Sequence, residues 1–599
     1  MIIKKLFVQN YRCFGEDPAV IHFAESGMMS FVGSNNAGKS TAMKALGILL
    51  GDKWPSGQFS EDDFYNRDFQ KEIQIACEFK TPITMVVSKS RDQKSVKGLS
   101  LKVGYLETKT GGFSTDVVYQ LIDRINDFEA GDWTIACYGT SDKEVYVSQD
   151  IRNNLPIAIT IPLIKLQSEQ PTNKWGILGR MLQKIENTFS KDTVKKEEFE
   201  KSIHEASNLL TEPQEFKQMV SDIERFWNDI KPNNLSGTAL EFLDFDPWHY
   251  YRQFRLAITK NGCPVPLDTL GEGVQRLAVI ALYRTYLNTH GRNQQAILLV
   301  EEPESYLHPQ ARSVVYTALR DAIISTDNVE GQIIFTTHSS DFLDCSHFEE
   351  IAIFSETPTG SIVRQVSQSK MKEHTAALLD ITETDLTNPG IYYRLVEVDS
   401  HGLKDALFGN KAVIVEGATD YEFIKAFGGT DRKQLSVVVA GGKENIGAIY
   451  SFLTAFGIPS LICADRDSDN ATNEQIAKLL NHEAINRIAE DGTENIDSSK
   501  VDTTAEGKLF LKRNLMIFSK DLEGYLGKTI PSYSQLCENL KTEFKIRKSK
   551  PKLMFAVGLC VQNSTPVTLT EEQIGEFNKV KQTIDDFLLQ EMKKPELIY

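Results

Sequence analysis

Met29-Ser30-Phe31-Val32-Gly33-Ser34-Asn35-Asn36-Ala37-Gly38-Lys39-Ser40-Thr41 decides the first half of the fold. The apolar run before Gly33 predicts a short buried strand, and AMKALGILL after Thr41 carries a helical pattern. Between them stands G-x-x-x-x-G-K-S. Strand, glycine loop and helix form the setting that a phosphate-binding loop requires. The glycines let backbone N–H groups close around phosphate oxygens, and the helix N-terminus adds the positive end of its dipole. Gly33, Asn35, Asn36, Gly38, Lys39, Ser40 and Thr41 are therefore candidate nucleotide-binding residues. Lys39 would reach the β- and γ-phosphates, and the Ser40 hydroxyl would ligate Mg²⁺.

Around this loop the chain is long and ordinary. At 599 residues it exceeds one compact domain, since domains run to about 100–200 residues. With 41% hydrophobic and 25% charged residues, disordered and collagen-like classes are excluded. The net charge of −16 excludes a generic nucleic-acid coat, so any DNA contact must use a local basic patch or bound metal ions. The eight cysteines form no C-x-x-C pair, which argues against a zinc ribbon or a disulfide framework. The start, MIIKKLFVQNYRCF, has no signal-peptide stretch, and no run suits a membrane-spanning helix. The expected address is cytoplasmic, with reduced thiols and no membrane partner.

Partner motifs for the loop lie far downstream. Gln295-Ala296-Ile297-Leu298-Leu299-Val300 is an apolar strand ending in Glu301-Glu302-Pro303. Glu301 is assigned to Mg²⁺, and Glu302 to polarising the attacking water. A further strand, Gln332 to Thr337, leads to His338, placed to sense a γ-phosphate. Between these motifs, Leu270-Gly271-Glu272-Gly273-Val274-Gln275-Arg276 precedes an apolar helix. This segment resembles the signature motif of ABC-type ATPases, in the SMC/Rad50/RecF-like variant, and Asn10-Tyr11-Arg12-Cys13-Phe14 resembles that group's N-terminal turn. The resemblance implies that Gly271 and Gly273 bind the nucleotide held by a second protomer. No convincing Q-loop is found; Gln58 and Gln70 are the candidates, with Asp62 and Asp63 nearby.

Residues 165–235 change in texture. Ile177, Leu178, Met181, Leu182 and Ile185 recur at helical spacing, as do Phe216, Met219, Val220, Ile223 and Phe226. This predicts an insertion of two or three helices, either a subdomain on its own ATPase core or a dimerisation arm. The expected domains are 1–164 and 236–400 for the two parts of the ATPase, 165–235 for the insertion and 401–599 for a second α/β unit.

In that unit, Ala412-Val413-Ile414-Val415 runs into Glu416-Gly417-Ala418-Thr419-Asp420. Ser436 to Val439 ends in Ala440-Gly441-Gly442-Lys443, and Pro459 to Cys463 leads to Asp465-Arg466-Asp467. Strands alternating with helices imply a parallel sheet, whose C-terminal strand ends share one crevice. Clustered carboxylates there repel unless a cation joins them, and Mg²⁺ or Mn²⁺ suits an all-oxygen site. The pattern is similar to the Toprim fold, Rossmann-like in outline. Leu515 to Ser519 reads as a fourth strand before Lys520-Asp521-Leu522-Glu523. Lys541, Lys545, Arg547, Lys548, Lys550 and Lys552 then form a cationic cluster suited to a DNA backbone.

An ABC-type ATPase followed by Toprim resembles the OLD (overcoming lysogenization defect) family of endonucleases, over nearly the whole chain. The resemblance implies metal ligands at Glu416, Asp420, Asp465, Asp467, Asp521 and Glu523, although the family often has serine where Asp521 stands. It places a catalytic lysine at Lys550 or Lys552 and leaves the choice open. It implies a two-metal DNA endonuclease, regulated by ATP, in antiphage defence. Its partners would be DNA and further copies of the chain, as a homodimer or higher homo-oligomer, with room for a helicase or reverse-transcriptase partner encoded nearby. The alternative is an ATP-driven DNA clamp or partner-regulated switch with the Toprim domain as scaffold. A topoisomerase is disfavoured because too little chain follows Tyr525 and Tyr533 to build a DNA gate, and a primase because no zinc module is present.

Overall fold

In the computed structural model, the first apolar run is β3 (Met28–Gly33), with every residue buried. The structure describes residues 2–51, 53–87, 93–107, 113–139, 142–161, 177–230, 246–254, 256–260, 262–271, 273–275, 277–278, 281–282, 285, 295–324, 331–379, 402–409, 411–427, 435–465, 509–512, 515–518, 521–561 and 569–589.

β3 sits inside a six-stranded sheet with β8 (Ile157–Ile161), β11 (Ala296–Glu301), β12 (Gly331–Thr336), β13 (Ile351–Thr357) and β14 (Gly360–Arg364), in the order β14-β13-β3-β12-β11-β8. All neighbours are parallel except the β13–β14 hairpin. Successive side chains of a strand point to opposite faces. Thus Ile297, Leu299 and Ile334 pack with α1 (Lys39–Leu50), while Leu298, Val300, Ile333 and Phe335 pack on the other face. There they meet Val315 and Leu319 of the helix at Pro309–Ile324. Burial on both faces explains why these strands read as continuous apolar runs.

A second, antiparallel sheet covers the far side of α1. It orders as β2-β1-β4-β5-β6-β7, from β1 (Ile3–Gln9), β2 (Ala19–His22), β4 (Ile73–Val86), β5 (Gln93–Glu107), β6 (Phe113–Asp127) and β7 (Asp132–Ile135). The sequence reading placed no sheet across β4 to β7. Leu99, Leu101, Val103 and Tyr105 alternate with Ser100, Lys102 and Gly104, so the period-two mark of a strand was present in β5 and went unread. The fully buried Gln332 side chain ties the two sheets together. Its Oε1 accepts from Ile2 N (3.1 Å) and Ile3 N (2.8 Å), and its Nε2 donates to Ile3 O (3.2 Å).

The stretch expected to be helical forms α2 (Ile177–Lys191), α3 (Thr193–Thr211) and α4 (Gln214–Ile230). Phe189 and Phe199 meet Tyr251 and Tyr250 edge to face, which anchors the helices at the 247–251 turn. Val194, Leu209 and Leu210 stay exposed, and a separate antiparallel hairpin pairs β9 (Ala257–Lys260) with β10 (Cys263–Pro266).

The C-terminal sheet orders as β16-β15-β17-β19-β18, from β15 (Lys411–Val415), β16 (Leu435–Val439), β17 (Ser460–Asp465), β18 (Leu509–Lys512) and β19 (Leu515–Phe518). The first four in that order are mutually parallel, and β18 closes the edge antiparallel, a strand the sequence reading lacked. With the helix at Pro309–Ile324 counted as α5, the longer helices that follow it among the described residues are α6 (Gln368–Leu379), α7 (Ala418–Phe427), α8 (Lys443–Ala455), α9 (Leu522–Thr529), α10 (Tyr533–Glu543), α11 (Lys550–Val561) and α12 (Glu571–Leu589). Residues of α7, α10, α11 and α12 share one core with β15, β17 and β19.

The other face of this sheet has no core of its own. Ile414, Val438, Ile462 and α8 residues Ile446, Ile449, Phe452 and Leu453 form one cluster with Val32, Phe348, Ile351, Ile353 and Met371 of the N-terminal unit. Across this boundary Thr375 Oγ1 and Ser451 Oγ lie 2.7 Å apart, and His374 Nε2 and Thr454 Oγ1 2.9 Å. Phe452 is fully buried against Phe348 at the seam. Phe452→Ala should cost about 3–5 kcal/mol of stability. Urea unfolding would check this, and a loss under about 1 kcal/mol would contradict the shared core.

Candidate functional site

The parallel order β3-β12-β11 brings three chain segments to one edge. Gly33 ends β3, Glu301 ends β11 in register with Thr336, and His338 follows β12. The loop after β3 needs its glycines. Gly33 has φ +136°, and a Cβ there would stand 2.2 Å from Phe354 O. Gly38, at φ +106°, opens α1 in a left-handed conformation that costs other residues energy.

Lys39 is buried, and its Nζ donates to Gly33 O (2.7 Å) and Ser34 O (2.8 Å). Burial pulls its pKa down to about 8, against the opposing pull of Glu302 and Glu304. Asn35, Asn36 and Ser40 are exposed, and Thr41 is half-buried. Glu302 adopts a left-handed backbone, φ 41°, fixed by its N–H donating to Thr336 O and Oγ1, both at 3.1 Å. Its Oε2 accepts from Ser305 Oγ (2.9 Å), and its Oε1 lies 3.7 Å from His338 Nε2. Burial and the charge of Lys39 lower the His338 pKa, which favours neutral imidazole.

Glu304 is a residue the sequence reading passed over. Its Oε1 accepts from Thr337 Oγ1 (3.0 Å) and His338 N (2.6 Å), while its buried Oε2 has no hydrogen-bond partner among the described residues. Burial raises its pKa. A third acid two places beyond Glu302 was the available signal. Asp63, named from sequence only as a neighbour of the Q-loop candidates, holds a defined position. It is buried, and although burial opposes ionisation, Arg12 (Nε to Oδ1, 2.6 Å) and Ser60 hold its carboxyl low. Of the Q-loop candidates, the Gln58 side chain donates to Lys53 O and Trp54 O, and only the backbone N–H of Gln70 is seen donating, to Asp68 Oδ1. Gly273 abuts the same Glu-rich turn of its own chain, where an added Cβ would meet Tyr306 O at 3.0 Å, and Gly271 is exposed.

A second acidic edge forms at the C-terminal sheet. Glu416 follows β15, Asp465 ends β17, and Asp521 and Glu523 follow β19. Asp420, one turn into α7, accepts from Gly417 N (3.1 Å). Burial, helped by Glu416 and Glu523, raises the Asp420 pKa to about 6. Burial and the charges of Asp420, Glu416 and Glu523 raise that of Asp465 to about 8. Asp465 Oδ1 is buried without a hydrogen-bond partner among the described residues. These acids influence each other, so the topology does gather them. Asp467 lies outside the described residues. No group of three or more His, Cys, Asp or Glu is drawn tightly enough to hold a metal ion among the described residues.

Cations take part instead. Lys550 Nζ stands 3.0 Å from Glu523 Oε1, and its pKa is raised first by that bond and further by Asp521 and Asp465. Lys552 is exposed, its N–H donating to Ser549 Oγ (3.4 Å). The geometry thus favours Lys550 where the sequence left two choices. Lys443, not among the residues expected from sequence, is buried with Nζ 3.5 Å from Glu416 Oε2. Asp521 caps α9, its Oδ1 accepting from Gly524 N (2.6 Å).

The donor set fits a divalent cation. All donors are oxygens, one buried carboxylate oxygen lacks a partner, and burial together with the neighbouring acids raises the pKa of Asp420 and Asp465. Comparisons with known proteins bear on both edges. The AAA ATPase domain family matches residues 1–343, and the overcoming lysogenization defect protein-like TOPRIM domain matches 407–467. An OLD nuclease of Thermus scotoductus is 26% identical, covering 78% of this chain and 82% of that protein. The Old nuclease of Escherichia phage P2 is 21% identical over 88% of this chain and 86% of its own. Endonuclease GajA of Bacillus cereus is 22% identical over 48% of this chain and 45% of its own.

A pH test follows from Asp465. Its carboxyl titrates near 8 in the fold against about 4 unfolded. The folded form therefore holds the proton longer, and stability present below pH 4 is lost as pH rises toward 8. In chelator-treated protein the melting temperature should fall across this window, and Asp465→Asn should flatten the fall. Parallel curves for the two proteins would contradict the assignment.

Proposed function

Because the chain belongs to the AAA ATPase domain family and joins to it an OLD-like Toprim domain, we propose that it is an ATP-regulated nuclease that cleaves DNA with divalent metal ions. The observation that carries this reading is the acidic edge of the C-terminal sheet, where Asp420 and Asp465 are pushed up to about 6 and 8. Such an edge calls for cations, and two divalent ions bound there would supply water activation and leaving-group stabilisation. Glu416, Asp420, Asp465 and Glu523 are the residues that would hold them, with Asp467 added from the sequence. Lys550, paired with Glu523 at the rim of the edge, would meet a phosphate, and the neighbouring cationic residues would meet the strand beyond it.

At the other edge the chain supplies a phosphate cradle and its chemistry. The loop from Gly33 to Ser40 surrounds phosphate oxygens, and Lys39 carries the charge to them. Glu301 and Ser40 would hold Mg²⁺. Glu302, whose backbone Thr336 fixes, would accept the proton of the attacking water, and His338 beside it, its pKa lowered, would donate to the γ-phosphate. Gly271 and Gly273 would complete the site of a second copy, which makes a homodimer or higher homo-oligomer part of the reading. The insertion over 165–235 would serve as the arm between copies. A role in bacterial defence against phage, with a helicase or reverse-transcriptase partner, rests on the family resemblance.

Supercoiled plasmid with Mn²⁺ or Mg²⁺, with and without ATP, is the test. Nicked or linear product is expected, lost in Asp465→Ala and with chelator, while ATP binding to that variant stays intact. Lys39→Ala should lose ATP binding by calorimetry. Relaxed closed circles would point to a topoisomerase instead, and intact plasmid throughout would end the nuclease reading. Between the two lysines, Lys550→Ala should slow cleavage about a hundredfold and Lys552→Ala far less. The reverse order would move the role to Lys552.

A further inference from the structure

Lys443 occupies an unusual position. It is the first residue of α8, directly after Gly441 (φ +73°) and Gly442 at the end of β16. A helix N-terminus is the positive end of the dipole, where a cation is disfavoured. Lysine is also among the residues least often buried without a paired charge. Yet only 5% of Lys443 is exposed. What offsets both costs is anionic. β16 and β15 run parallel with Val439 beside Val415, so the chain leaving β16 meets the chain leaving β15. The Lys443 ammonium there lies 3.5 Å from Glu416 Oε2. Its charge also reaches Asp465, whose ionisation it favours. Lys550 differs in kind: its side chain is 68% exposed and it pairs with Glu523.

We propose that Lys443 is the resident counter-ion of Glu416, a positioning residue that a divalent cation must displace, so that it sets the metal concentration at which the acidic edge fills. The proposal rests on the metal-dependent reading above. An ammonium and a divalent ion at one carboxylate repel each other, so the two compete for Glu416. In a partly buried site their repulsion is only weakly screened, so removing the lysine charge strengthens ion binding.

Calorimetric titration of the full chain with Mn²⁺, without nucleotide, tests this, with Asp465→Ala as the blank that isolates the edge. Lys443→Met keeps the apolar stem and should bind Mn²⁺ about tenfold more tightly than wild type. The half-saturating Mn²⁺ for plasmid cleavage should fall by the same factor, while Lys443→Arg stays close to wild type. Equal or weaker binding by folded Lys443→Met overturns the proposal, as does the absence of Asp465-dependent binding in wild type. Should that variant fail to fold, a crystal structure of the wild type with Mn²⁺ decides. The Lys443 Nζ is expected to have left Glu416, and a retained contact with Mn²⁺ on the same carboxylate overturns the claim. Metal binding with uncut plasmid would remove the nuclease reading, and the Lys443→Met titration would still judge the counter-ion.

Discussion

Parallel pairing is the constraint on which both edges depend. In an open α/β sheet the chain enters every parallel strand from the same side, so residues distant in sequence leave at one edge. β12 stands between β3 and β11, in register with both, and this alone sets Lys39, Glu302 and His338 beside one another. The C-terminal sheet repeats the device with β15, β16, β17 and β19. Slipping β11 by one residue would turn Glu301 and Glu302 to opposite faces. The alternate burial of Ile297, Leu298, Leu299 and Val300 between two cores makes that slip costly.

The two edges solve opposite electrostatic problems. The phosphate loop must receive a polyanion, so its lysine is buried and its depressed pKa is countered by Glu302 and Glu304. The C-terminal edge gathers acids, and burial with their crowding pushes the pKa of two of them up. Each edge sets opposite charges together, Lys39 with Glu302 and Glu304 at the first and Lys443 with Glu416 at the second. Glu304 belongs to the first edge and Lys443 to the second. Both are buried, and both also orient a neighbour: Glu304 holds the backbone of His338, and Lys443 the carboxylate of Glu416.

Much of this was legible in the sequence where a motif and a strand coincided. Gly33 to Ser40, the Glu301-Glu302 pair and the Glu416 and Asp465 strand ends each follow a short apolar run, and parallel strands buried on both faces announce themselves that way. The antiparallel sheet was legible in part, since Leu99-Ser100-Leu101-Lys102-Val103 alternates, but no motif stands beside it to draw the reading there. Glu304 and Lys443 were missed for another reason. A lone acid or lysine in a turn is ordinarily solvated, and only the folded distances reveal that these two are buried and paired. Between Lys550 and Lys552 the sequence offers no distinction, since each is a lysine in the same basic stretch. The fold separates them by aiming one at Glu523.

The core shared across the seam has a consequence for synthesis. When the ribosome has made the first 379 residues, Val32, Phe348, Ile353 and Met371 are already in the chain, but α8 and β15, which cover them, are not. The nascent ATPase half therefore emerges with an apolar face open to water. Exposed faces of this kind recruit chaperones or neighbouring chains until their cover arrives. The C-terminal unit acts as the last wall of the first, so the two were built to be made, folded and kept as one.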